Sequence, residues 1–158
     1  MTDLDIKEYA NRFRTAIEAA RDAGEFDPQK RNQYEPMVKF PHDCCDDTVV
    51  LFIHYLYHEF GEDSMEVIGS YYSEQLGCKC KHYWQMFEGW VVDLTGDQFE
   101  NDSDIKIKSI PVYVGPRGDF HNQFDIVQSK RSRGIECLGI DSHERMYKLY
   151  ASIMKHMI

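Results

Sequence analysis

The chain has 158 residues, of which 42% are hydrophobic, 28% charged and 13% aromatic, and its formal charge is −9. That length suits one domain with a proper core and is short for two. The acidic balance argues against phosphate-backbone binding as the main activity, which needs a basic footprint, and no apolar stretch approaches the roughly 18 residues of a membrane span.

The first residues, "MTDLDIKEYANRF", lack the basic-then-apolar pattern of a secretory signal. Residues 3 to 23 read as an amphipathic helix, with Ile6, Tyr9, Phe13, Ile17 and Ala20 at three- and four-residue steps and Gly24 as its stop. The next stretch, 25 to 41, carries prolines and no clean period, so it reads as a loop. A second helix is expected from Cys45 to Phe60, ended by Gly61. It is apolar on most faces, which predicts burial at the centre of the domain.

Strands are expected at 65–72, 82–87, 90–95 and 105–114, the last on the period-2 alternation of "IKIKSI". The basic run "QSKRSRG" (128–134) reads as a solvated loop rather than a nucleic-acid patch. A final helix is expected from Ser142 to Met157, capped by Asp141 or Ser142, with Met146, Leu149, Tyr150, Ile153, Met154 and Met157 as its buried stripe. The order predicts one α+β domain over 1–158. Five cysteines, crowded at 44, 45, 78 and 80, do not resemble a disulfide framework, so a cytoplasmic chain with reduced thiols is expected.

Two adjacent thiols, Cys44 and Cys45, stand where the second helix should begin. A helix start carries partial positive charge and unpaired amides, which favour a thiolate and can hold an oxyanion. A thiolate also needs a base, and the base an orienting group. Both are found in "HYWQMFEGWVVDLTGDQF". With Glu88-Gly89 as a two-residue hairpin turn, Phe87 faces Trp90 and Trp84 faces Asp93. His82 then shares a sheet face with Asp93, as a diagonal neighbour at about 7 Å. An aspartate in the apolar "WVVDLT" is costly to bury unless something pairs with it.

"FPHDCC" leading into a helix, followed by that His-x-Trp and apolar-apolar-Asp hairpin, resembles the transglutaminase-like and papain-like cysteine-enzyme superfamily over residues 40 to 100. The resemblance implies a central helix packed on an antiparallel sheet; the N- and C-terminal helices and the later strands lie outside it, and the helices are expected to flank that core. It places the nucleophile on Cys45, the base on His82 and the orienting acid on Asp93, with Cys44 as the competing thiol. Asp46 and Asp47 depart from the small residues often found there, and their charges would raise a neighbouring thiol's pKa.

The implied function is a cysteine-dependent hydrolase or acyltransferase acting on an amide or peptide bond through a thioester, with a peptide or protein substrate. No cofactor, no metal, no nucleic acid and no membrane is called for. A non-enzymatic binding or immunity-type module with a decayed triad is the alternative. Zinc held by Cys78, Cys80 and His82, completed by Cys44 or Cys45, is a rival use of the same residues, although Cys-x-Cys is tighter than the usual ligand spacing. Trp84, Trp90 and Tyr83 read as hairpin packing, His121 as a loop residue that could line the cleft, and His42 as an exposed turn residue.

Overall fold

The computed structural model describes residues 1–26 and 35–157. The central part of the expected loop, 27–34, lies outside the described residues. Three α-helices and a five-stranded antiparallel sheet make up the described chain: α1 (Asp3–Asp22), α2 (Cys45–Phe60), β1 (Ser64–Ser73), β2 (Cys78–Phe87), β3 (Trp90–Asp93), β4 (Tyr113–Gly115), β5 (Asp125–Ser132) and α3 (His143–Met154). The strand order is β4-β3-β2-β1-β5, every pair antiparallel. Among the described residues no helix is long and apolar enough to cross a membrane.

Local chemistry sets the helix ends. Thr2 and Asp5 form a capping box: Asp5 N–H donates to Thr2 Oγ1 at 3.3 Å, and Thr2 N–H to Asp5 Oδ2 at 2.9 Å. Gly61 ends α2 in the left-handed conformation (φ 69°), which only glycine adopts freely. For α3 the expected cap is corrected: Ser142 stands at the N-cap without a side-chain capping bond, because a short 3₁₀ turn (Ile140–Ser142) already leads into the helix.

Side chains alternate across β2 and β3, and the two faces they reach are covered differently. Phe87 and Val92 join the core built from α1, α2 and α3, including Phe13, Ile17, Phe52, Leu56 and Ile153. Trp84 and Val91 join a second core with Val67, Phe99, Ile105, Phe120 and Phe124, most of it supplied by the irregular segment between β3 and β5. Gly69 in β1 permits that second packing, since a Cβ there would stand 2.5 Å from Trp84 Cζ3 and 2.7 Å from Phe124 Cβ.

Two expectations fail on this second face. Residues 105–112 form no strand; only Tyr113–Gly115 pairs, with β3. The amides that a ladder would use are taken by one side chain: Gln123 Oε1 accepts from Lys106 N and Ile107 N, both at 3.0 Å, and Gln123 Nε2 donates to Ile107 O at 2.8 Å. Pro111 lacks the amide hydrogen a ladder would need there. Conversely, the "QSKRSRG" segment is not a loop through most of its length. It lies in the edge strand β5, paired with β1, with every side chain exposed except Ser132. Charges on such an edge discourage further pairing, and they hide its period from a hydrophobicity reading.

Candidate active site

The hairpin between β2 and β3 turns at Glu88 (φ 47°) and Gly89 (φ 84°), the two positive φ values of a type I′ turn. Its register is Phe87↔Trp90, Met86↔Val91 and Gln85↔Val92, which brings Asp93 onto the Trp84 level. His82 then reaches back, and its Nε2 lies 2.7 Å from Asp93 Oδ2, both residues almost fully buried. The other carboxylate oxygen, Oδ1, accepts from Thr95 N at 3.0 Å.

A second histidine joins them. His121, in a 3₁₀ turn (His121–Gln123), places its own Nε2 2.7 Å from the same Asp93 Oδ2. His121, expected as a loop residue that could line the cleft, is bonded to the acid across 28 positions of chain that no local pattern links. Burial alone would push the Asp93 carboxyl up, but the facing His82 and His121 outweigh it and hold it well below the usual carboxylate range. For His82, burial works against the charged ring, yet Asp93, and then hydrogen bonding with Cys45, push its pKa up to about 10.

Cys45 is the first residue of α2, and it lies close enough to His82 to be among the groups that raise the pKa of that ring. Its neighbour differs sharply. Cys44 is fully buried in the helical core, 3.9 Å from Thr48 Oγ1, and burial pushes its thiol far above the ordinary range. Of the two, Cys45 is the one that acts on the His82 ring. The acidic neighbours are partly offset: Arg145 grips Asp47 at 2.5 Å and Glu35 at 2.7 Å, while Asp46 is exposed to water.

Gln98, from the 3₁₀ turn after β3, sets its Nε2 3.2 Å from His82 Nδ1. A neutral ring that donates from Nε2 to Asp93 has a lone pair at Nδ1, which accepts that amide hydrogen. An imidazolium has Nδ1–H instead, and the carboxamide turned through 180° offers it Oε1. The turn is held by Arg14, a buried residue of α1 whose guanidinium binds Asp97 in two bonds of 2.7 and 2.8 Å and donates to the carbonyls of Leu94 and Pro111, both at 2.8 Å. No motif in the sequence marks Gln98 or Arg14.

The rival zinc set is not assembled. Cys78 is exposed, Cys80 half-exposed, and neither joins His82 in a converging donor group among the described residues. Two other groups converge: His82, Asp93 and His121, and separately His54, His58 and Glu136. In the second, His54 Nδ1 already accepts from Ile135 N at 3.2 Å and His58 Nε2 contacts Glu136 Oε1 at 2.7 Å, so it clamps the 135–137 turn onto α2. Of the remaining residues, Trp84 is buried against His121, Trp90 and Tyr83 are half-buried, and His42 is exposed.

No family model, curated protein or solved structure matches the chain.

Proposed function

We propose that the chain is a cysteine-dependent hydrolase or acyltransferase acting on an amide or peptide bond, with a papain-like or transglutaminase-like arrangement of its core. The observation that carries this reading is the buried His82–Asp93 pair, held at 2.7 Å, with the thiol of the first residue of α2 near enough to the imidazole to raise its pKa. With His82 held as the imidazolium beside it, Cys45 attacks the substrate carbonyl as the thiolate. The α2 N-terminal amides are the backbone donors available to the developing oxyanion. The C–N bond breaks as His82 returns the proton to the leaving amine, giving a thioester on Cys45. Water or a second amine then takes the acyl group, with His82 accepting its proton. Asp93 keeps Nε2–H engaged and so leaves Nδ1 as the ring nitrogen that exchanges the proton.

The test is acylation by 4-nitrophenyl acetate followed by mass mapping. We expect an acetyl thioester on Cys45 that decays in water and is absent from Cys45→Ala. A label confined to Cys44 or to the exposed Cys78 and Cys137 would refute the assignment.

A second reading is favoured by one observation: the donor atoms of His82, Asp93 and His121 lie within 4.8 Å of one another. Two imidazoles and a carboxylate are a donor set for a divalent transition metal. Stoichiometric zinc that protects Cys45 from acylation, and is lost with His121→Ala, would favour a metal centre over the thioester mechanism, because a ligated imidazole cannot act as a base.

A further inference from the structure

We propose that Cys78 and Cys80 form a two-thiolate site for a soft monovalent cation, Cu(I), at the turn end of the β1–β2 hairpin. The site is separate from Cys45 and does not rest on the cysteine-enzyme reading.

β2 begins at Cys78, and side chains alternate along a strand, so residues 78 and 80 share one face. Two steps of extended chain put their Cα atoms roughly 6.6 Å apart. Cys78 is exposed, Cys80 is half-exposed, and both thiols are free. Free cysteine is ordinarily among the most buried side chains, so two left open on one strand face are available as ligands. Cys80 Sγ–H donates to Cys78 O at 4.0 Å, and this thiol therefore already leans along the strand toward its neighbour. After burial, Cys78 is the next group that raises the pKa of Cys80, as expected of two close thiols.

The frame under the pair is fixed before any ion arrives. Across the ladder, Cys78 faces Ser73 and Cys80 faces Tyr71. Asp104 ties that end down: its Oδ2 accepts from Ser73 Oγ at 2.9 Å and its Oδ1 from Glu74 N at 3.1 Å. Ser73 Oγ accepts in turn from Leu76 N at 3.1 Å, and Gly77, at φ 69°, closes the turn into Cys78. Little ordering is left for binding to oppose.

The donor set selects the ion. Thiolate sulfur is soft and favours Cu(I) or zinc. A structural zinc takes four ligands, yet among the described residues no third His, Cys, Asp or Glu converges on this pair. Cu(I) is satisfied by two sulfurs in line. Each thiol gives up its proton on ligation, so the loaded pair carries a net charge of −1. Asp102 opposes that charge, while Lys79 and Lys81, exposed on either side of Cys80 in the chain, offset it.

The experiment titrates the whole reduced chain with Cu(I), under argon, against bicinchoninate, whose coloured complex reports the copper that the protein does not hold. We expect one Cu(I) per chain, undisturbed by added zinc. Cys78→Ser, and independently Cys80→Ser, should weaken binding at least tenfold, thermal denaturation confirming that each variant is folded. Cys45→Ala and Cys137→Ser should leave binding within about twofold. Copper retained in full by the Cys78→Ser variant, or lost with Cys45→Ala, places the ion elsewhere and overturns the proposal. A chain that leaves all the copper to bicinchoninate overturns it too, and so does zinc that displaces Cu(I) from the pair.

Discussion

The two faces of the sheet are built from different materials. Against one lie α1, α2 and α3, whose contacts with Phe87 and Val92 are those of regular amphipathic packing. Against the other lies the segment from β3 to β5, irregular for most of its length, which surrounds Trp84 with Phe99, Phe120 and Phe124 and embeds His82, Asp93 and His121 among them. The first face serves stability. The second carries a buried polar network that hydrocarbon alone would not tolerate, and every member of it is bonded to another. Cys45 is where they meet, since it begins a helix of the first face and raises the pKa of an imidazole of the second.

Substitutions on the two faces should therefore fail in different ways. The largest effect is expected for Asp93→Asn, which keeps the shape but presents an amide to two ring nitrogens. Acyl transfer should fall roughly 10⁴-fold, the order seen when a triad acid is neutralised, with the fold retained. Phe52→Ala, deep in the helical core, should do the opposite: a loss of about 3–5 kcal/mol in unfolding free energy, read by urea denaturation, with Cys45 chemistry preserved in the folded fraction. If the two substitutions gave the same mixture of losses, the division of labour between the faces would be wrong.

Arg14→Met sharpens the boundary, because Arg14 belongs to α1 yet holds the turn that carries Gln98. Leaving Asp97 and two carbonyls without their cation should cost about 3 kcal/mol and also slow acylation, a double effect expected of few other helix residues.

The two faces also differ in how far the sequence reveals them. The limits of α2, Cys45 to Phe60, follow from the glycine at 61 and the apolar run, and the hairpin register follows from the spacing of Glu88-Gly89 and the alternation around it. Both are local, so the His82–Asp93 pair could be anticipated. What followed was not local. "IKIKSI" has a strand's alternation, but Gln123 takes its amides; β5 is a strand with almost no buried side chain; His121 finds Asp93 through a 3₁₀ turn. Periodicity records burial of one face, and these segments are placed by hydrogen bonds to single side chains.

Titration should expose the network directly. His82 has its pKa raised to about 10, so the stability it contributes is fully present below the ordinary histidine value near 6.5 and is lost as pH rises toward about 10. Unfolding free energy should fall across that window with a slope of up to about 1.4 kcal/mol per pH unit, and His82→Gln should flatten it. Asp93 has the opposite sign: its depressed pKa gives stability present above about pH 4 that declines as the solution is acidified. A curve indifferent to His82→Gln between pH 6.5 and 10 would mean that the pair does not titrate as a unit.

The smallest effect is expected at the other thiol. Cys44→Ala removes one buried sulfur from the helical core, costing about 1 kcal/mol, and should leave the chemistry of Cys45 within about twofold.

The central claim is that Cys45, His82 and Asp93 act as one unit, and the iodoacetamide rate at Cys45 near pH 7 tests it most directly. The account predicts alkylation at least tenfold faster than free cysteine, falling to the rate of free cysteine or below in His82→Gln. A Cys45 that reacts at the same rate with and without the His82 ring would contradict it.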